Sequence, residues 1–135
     1  MDISGDAGIR AHGNSCREAF ENAACGMYAL ITDLDKIEER KSKQLSISAI
    51  SLDSLLVDFL NELIFLFDTK YFIGSRIEFN EFRADGSFYL KAVIHGEEFD
   101  SSRHEKRLLV KAATYHKLLI TQRNGRCELE IIFDI

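Results

Sequence analysis

The spacing of apolar residues predicts two helices, each beginning after a serine. Ser15-Cys16-Arg17-Glu18 has the S-x-x-E form of a capping box, so the first helix begins at Ser15 and is expected to end near Asp33. Ser51 is expected to cap the second helix, which runs to about Asp68. The apolar positions of the second helix form a stripe too wide for a surface helix: Leu52, Leu55, Leu56, Phe59, Leu60, Leu63, Ile64, Leu66 and Phe67. This helix is therefore predicted to lie at the centre of the core.

Alternation of apolar and polar residues predicts strands on either side of these helices. A short strand is expected over Gly8–Gly13 and another over Leu45–Ala49, with the charged run Glu38–Lys43 as a solvated extension. The polar segment Asp100–Arg107 is expected to be a loop with at most one helical turn.

The remaining strands are predicted to form two hairpins. The first has Asp85-Gly86 at its turn, between strands Phe72–Arg83 and Phe88–His95. The second has Asn124-Gly125 at its turn, and its strands are Tyr115–Gln122 and Cys127–Phe133. The chain has no proline and no repeats, which favours one domain over residues 1–135. The predicted fold is α+β, with two main helices packed on antiparallel β-sheet.

Composition excludes several classes of protein. Seventeen Lys and Arg against twenty-two Asp and Glu give a net charge of -5, which argues against stable direct nucleic-acid binding and against an anionic membrane surface. The longest apolar stretch, Leu55–Phe67, is interrupted by charged and polar residues, so no membrane span is expected. Cys16, Cys25 and Cys127 form no CxxC pair and are expected to be reduced thiols in a cytoplasmic protein, with Cys25 and Cys127 as buried small hydrophobes.

No known catalytic motif is present, and the carboxylates are better candidates for chemistry than the histidines. Asp6 lies between Gly5 and Gly8, where the backbone can approach an ion. The sequence ends in Asp134-Ile135, and a pinned Ile135 would make its α-carboxylate a fixed anion beside Asp134. The alternative is that Asp6 caps a turn and Asp134 is an ordinary surface residue. His12 and His95 are interpreted as surface residues.

Several stretches, in the same order along the chain, resemble the archease family. The opening is similar to the family's D-H-T-A-D-x-G-I-x-A-x-G start, although Ile3, Ser4 and Gly5 stand where His, Thr and Ala are common. Further stretches resemble its E-x-F-E-N-A-A-x-G-M helix and its R-H, V-K-A-x-T-Y-H and terminal D-I motifs. The matching segments are residues 2–13, 18–27, 103–104, 110–116 and 134–135.

The resemblance implies a function. Archeases are protein cofactors of the RtcB-type RNA ligase of tRNA splicing and RNA repair; they promote its guanylylation and multiple turnover and are not catalysts themselves. The family carries a metal site with calcium as ligand, and by position its ligands here are Asp6, Asp134 and the terminal carboxylate of Ile135. Three such carboxylates suit Ca²⁺, with Mg²⁺ or Mn²⁺ as alternatives.

Two other functions stay open at this point. One is a general chaperone or modulator of RNA-processing proteins. The other is a metal-dependent hydrolase using Asp6 and Asp134, for which no general base is evident in the sequence. Lys111 and His116 are candidates to contact the carboxylates or the ligase, with plain solvated side chains as the equal alternative, and His104 is singled out by the R-H motif alone.

Overall fold

A computed structural model describes residues 5–135; Asp2, Ile3 and Ser4 of the predicted opening motif lie outside them. The described chain contains two α-helices, one short 3-10 helix and seven strands. In order these are β1 (Asp6–Gly13), α1 (Cys16–Ile31), the 3-10 helix (Leu34–Lys36), β2 (Lys41–Ala49), α2 (Leu52–Lys70), β3 (Phe72–Asp85), β4 (Ser87–Glu98), β5 (Ala112–Ala113), β6 (Leu119–Arg123) and β7 (Arg126–Asp134).

The strands form two antiparallel sheets. In sheet A, β7 pairs with β1 on one side and with β5 and β6 on the other. In sheet B the order is β2-β4-β3. The sequence predicted antiparallel pairing but not this division into two sheets.

Both helices lie against both sheets. Helix α1 packs on β1 and β7 of sheet A and on β3 of sheet B, while α2 packs on β5 of sheet A and on all three strands of sheet B. Their buried faces and the inner faces of the sheets form one hydrophobic cluster, whose largest buried side chains are Tyr28, Phe20, Phe59, Phe72, Phe133 and Met27. The predicted α+β class and the central position of α2 are confirmed.

The helix ends follow the predicted caps with small differences. Ser15 accepts a hydrogen bond from the Glu18 N–H, which is the Ser15 half of the predicted capping box. The reciprocal box forms instead at α2, where Ser51 and Ser54 each accept the other's backbone N–H. Helix α1 ends at Ile31, two residues before the predicted position, because Thr32 turns to an extended backbone. No helix among residues 5–135 is long and apolar enough to cross a membrane.

The two predicted hairpins are confirmed, with revised bounds. Gly86, with φ of +77°, makes the first turn, and Asn124 and Gly125, with φ of 54° and +80°, make the second. These are left-handed conformations that favour Gly and Asn. The predicted strand over Tyr115–Gln122 begins only at Leu119, because Lys117 also has a positive φ of 55° and the chain turns there.

Candidate functional site

The two predicted carboxylates meet in sheet A. Asp6 is the first residue of β1 and Asp134 the last of β7, and they are directly opposed in the antiparallel register. The Ile135 N–H donates to the Gly5 carbonyl at 3.1 Å, so Asp6 and Asp134 form a non-hydrogen-bonded pair. Side chains of such a pair lie on one face and are the closer type of cross-strand neighbour. Both residues are exposed, on the outer face of the sheet.

The end of β7 is held on both sides. The Asp134 carbonyl accepts the Lys111 N–H at 2.8 Å, and Ala112 of β5 is its register partner opposite β1. Ile135 is half-buried against the core. Asp134 and Ile135 are therefore fixed in the sheet, which is the condition under which the terminal carboxylate would be a fixed anion. The backbone that carries this carboxylate directly follows Asp134.

This carboxylate pair has an unbalanced charge. None of the ion pairs between residues 5–135 includes Asp6 or Asp134, whereas the pair four residues along the two strands, Arg10 and Glu130, is joined at 2.7 Å. Like charges directly opposed in a sheet are destabilising, and a cation between them relieves the repulsion. Within residues 5–135 there is no cluster of three or more His, Cys, Asp or Glu side chains placed to hold a metal. The expected metal ligands include only two such side chains, those of Asp6 and Asp134, because the third ligand is the terminal carboxylate of Ile135.

A buried glutamate near the end of β4, in sheet B, organises the polar segment that follows this strand. Glu97 is 2% exposed, and its carboxylate accepts from the Glu38 N–H and from Arg103 Nη2, both at 2.6 Å. Burial acts to raise the pKa of Glu97, but these hydrogen bonds and the Arg103 charge outweigh it and lower the pKa to about 2. The buried charge is therefore stabilised by its partners.

His104 belongs to this cluster and not to the carboxylate pair. Its Nδ1 accepts the Asp100 N–H at 2.9 Å, so the ring proton lies on Nε2, which faces Glu97 Oε2 at 3.3 Å. The turn predicted in this region is present, because the N–H groups of Arg103 and His104 both donate to the Asp100 carbonyl. His104 is thus a buried structural histidine.

The segment from His104 to Lys111 connects the Glu97 cluster to the carboxylate pair. On the way it caps α1: the N–H groups of Arg107 and Leu108 donate to the carbonyls of Ile31 and Leu30, at 2.9 Å each. The Arg107 guanidinium adds a bond to the Ala29 carbonyl at 3.0 Å. These bonds satisfy carbonyls that a helix end leaves free.

Comparison of the sequence with those of known proteins shows the family of this chain. A profile of the Archease protein family matches residues 1–135. The chain belongs to the archease family. It is 34% identical to the archease of Methanothermobacter thermautotrophicus over 135 residues, covering 100% of this chain and 96% of the relative. It is 37% identical to the archease of Aeropyrum pernix over 131 residues, covering 96% of this chain and 91% of the relative.

Solved structures agree with the archease assignment. The solution structure of Protein 1598 from Methanobacterium thermoautotrophicum matches with a TM-score of 0.83 at 33% identity, covering 100% of this chain and 96% of that one. The crystal structure of an archease from Thermotoga maritima, described as a possible chaperone, matches with a TM-score of 0.61 at 21% identity, covering 99% and 91%. The second likeness is one of fold alone.

One residue that supports the candidate site was not found from the sequence. The side-chain amide of Asn61, on α2, makes the two hydrogen bonds that a neighbouring strand would make to Ala113. Its Oδ1 accepts the Ala113 N–H at 2.7 Å, and its Nδ2 donates to the Ala113 carbonyl at 3.2 Å. This holds the outer edge of β5, the strand that flanks Asp134. The sequence feature that could have indicated this role is a polar residue that interrupts the apolar stripe of α2, because Asn is unfavourable inside a helix unless its side chain makes a hydrogen bond.

Among residues 5–135, no hydrogen bond joins the side chains of the other candidates to the carboxylate pair. Lys111 reaches Asp134 through its backbone N–H only, and His116 lies exposed in the turn before β6. His12 is exposed, as predicted, and His95 is partly buried with Nε2 at 3.5 Å from Glu78. Of the cysteines, Cys127 is buried as predicted and Cys25 is half-buried.

Proposed function

We propose that this archease activates an RtcB-type RNA ligase in tRNA splicing and RNA repair, promoting guanylylation and multiple turnover of the ligase without catalysing a reaction itself. Family membership supports the assignment, since the family motifs occur in order along the whole chain. In this role the protein acts in the cytoplasm, and its direct partner is the ligase and not RNA. The net charge of -5 is suited to a partner whose phosphate-binding cleft is basic.

The opposed pair Asp6 and Asp134 is the observation that carries the proposal. Their register, the Ile135–Gly5 hydrogen bond and the Lys111–Asp134 hydrogen bond support a site made of two carboxylates and the terminal carboxylate of Ile135. All donors are oxygens, which suits Ca²⁺ first and Mg²⁺ or Mn²⁺ next, and does not suit a thiolate- or imidazole-seeking metal. When bound, the ion would supply positive charge that a phosphate or carboxylate of the ligase complex can meet. The chain's own residues hold the three anions together on an exposed sheet end.

A guanylylation assay tests the proposal. The rate at which the cognate ligase forms its covalent guanylate is measured with and without the protein, and a clear increase in that rate and in turnover number is expected. Asp6→Asn and Asp134→Asn should remove the increase, whereas Asp85→Asn, an exposed acid at the far hairpin, should retain it. Full stimulation by both site variants would refute the role of the pair.

The terminal carboxylate is tested separately by adding one glycine after Ile135. This turns the α-carboxylate into an amide and moves the charge one residue away, so Ca²⁺ affinity should fall roughly tenfold or more. Calorimetric titration with Ca²⁺ measures this without any ligase. Equal Ca²⁺ affinity in the native and extended chains would exclude Ile135 as a ligand.

A general chaperone is the second candidate function, and exposed apolar side chains favour it. Leu109, Tyr115 and Leu119 are 58%, 56% and 53% exposed, all within one 11-residue stretch, and the Thermotoga maritima relative is described as a possible chaperone. This function predicts that aggregation of unrelated client proteins is suppressed equally with Ca²⁺ or with a chelator. Stimulation restricted to one ligase, with no effect on unrelated clients, would reject it.

A further inference from the structure

Two of the three cysteines, far apart in sequence, meet where α1 begins. Cys127 on β7 is 1% exposed and lies directly opposite Gly13 on β1. Gly13 leaves no room for a side chain, because a Cβ there would lie 2.6 Å from the Ala19 backbone nitrogen. The first turn of α1 therefore rests on Gly13, beside Cys127, and Cys16 is the first residue of that helix.

Cys16 packs against the hydrophobic cluster to which Cys127 belongs, where the start of β7 lies beside the first turn of α1. Burial, followed by the neighbouring Cys16 thiol, raises the pKa of the Cys127 thiol to about 12. Cys16 is only partly buried, so a small solute can reach it, whereas Cys127 is enclosed.

Cys25 is a built-in comparison. It lies on the same helix as Cys16 and is also half-buried, but it is nine residues further on, roughly 13 Å along the axis. It therefore shares exposure and helix with Cys16 but not the position beside Cys127.

We propose that Cys16 and Cys127 are a reversible thiol modification site that closes to an internal disulfide on reaction with a small-molecule disulfide. The Cys16 thiolate attacks one sulfur of the reagent and expels one thiolate, which leaves a mixed disulfide on Cys16. Cys127 then loses its proton to solvent and attacks the Cys16 sulfur, expelling the second thiolate. The pair gives up two electrons and two protons, and the reagent's disulfide becomes two thiols.

The bond has consequences for stability and for rate. Cys16 and Cys127 are 111 positions apart, so the bond restricts most of the unfolded chain, and the midpoint of thermal unfolding should rise by roughly 5–15 °C. Since Cys127 must be deprotonated to attack, the closing step should accelerate about tenfold per pH unit between pH 7 and 9.

The experiment treats the reduced full chain with oxidised glutathione and follows it by intact mass, alkylation of remaining thiols and peptide mapping. A Cys16–Cys127 peptide with loss of two hydrogens is expected in the native chain and in Cys25→Ser. It should be absent from Cys16→Ser, which should carry no mixed disulfide at residue 16. Dithiothreitol should restore the original mass and melting midpoint.

Two results would overturn the proposal. One is a stable mixed disulfide at Cys16 that does not close to Cys127 even at pH 9. The other is oxidation that proceeds only through Cys25 or between chains. Both are read in the native chain, so the conclusion does not depend on whether a variant at buried Cys127 folds.

Discussion

The buried carboxylate of Glu97 gives the sharpest test of how this fold holds its polar segment. Replacing Glu97 with Gln keeps the shape of the side chain and removes its charge. The side chain is 3% exposed, and the variant loses the charge-assisted bonds from Arg103 and from the Glu38 N–H. The amide that replaces the carboxylate is a weaker hydrogen-bond acceptor for these donors.

The size of the effect follows from the pKa of Glu97. A decrease in that pKa from 4.5 to about 2 corresponds to about 3 kcal/mol of unfolding free energy at neutral pH. Because the folded pKa is the lower one, this stability is fully present above pH 4.5 and is lost as pH falls toward 2. The native chain and Glu97→Gln should therefore differ by about 2–3 kcal/mol at pH 7 and converge between pH 4.5 and 2.

The assay is denaturant unfolding of both chains at a series of pH values from 7 down to 2.5, with m-values compared to check that the transition stays two-state. Glu98→Gln is the matched control, since Glu98 is the adjacent residue but its side chain is 63% exposed beside Lys41. That variant should stay within about 0.5 kcal/mol of the native chain. A Glu97→Gln chain as stable as the native one at pH 7, or a difference that does not shrink in acid, would refute the reasoning.

Three further predictions concern the support and the charge of the candidate site. Asn61→Ala leaves both backbone groups of Ala113 without partners, so a loss of about 2–3 kcal/mol and faster amide exchange at Ala113 are expected; an unchanged exchange rate would contradict the bracing role. Gly13→Ala forces a Cβ to within 2.6 Å of backbone and should cost about 2–4 kcal/mol in denaturant unfolding, whereas Gly5→Ala, with nothing within 4 Å, should be neutral; equal effects would dismiss the packing argument. Asp134→Asn relieves the cross-strand repulsion and should raise the metal-free stability by up to about 1 kcal/mol. Ca²⁺ is expected to raise the melting midpoint of the native chain but not that of this variant; a variant that Ca²⁺ stabilises as much as the native chain would show that Asp134 is not a ligand.

The local elements were predictable because their signals are local. Ser15 and Ser51 cap helices, and Gly86 and Asn124-Gly125 supply the backbone conformations that tight hairpins need. Asp6 and Asp134 were placed together by resemblance and by the unusual buried-type residue at position 135. Their direct register is a finding of the structure.

The missed features depend on contacts between distant segments. Strand β5 is only two residues long, and it exists because Asn61 and β7 satisfy its two edges. Glu97 reads in sequence as an ordinary polar residue at a strand end, and only the later Arg103 and His104 explain its burial. The apolar and polar pattern of a short stretch of sequence does not show contacts with such distant segments.

The hydrogen bond between Ile135 and Gly5 makes the molecule suited to circular permutation. A short linker could join residue 135 to Gly5, with new ends opened in the turn at Gly86, and every strand pairing would be retained. Such a permutant would keep the architecture but carry no free α-carboxylate beside Asp134. It would therefore separate the contribution of the fold from that of a single anionic group.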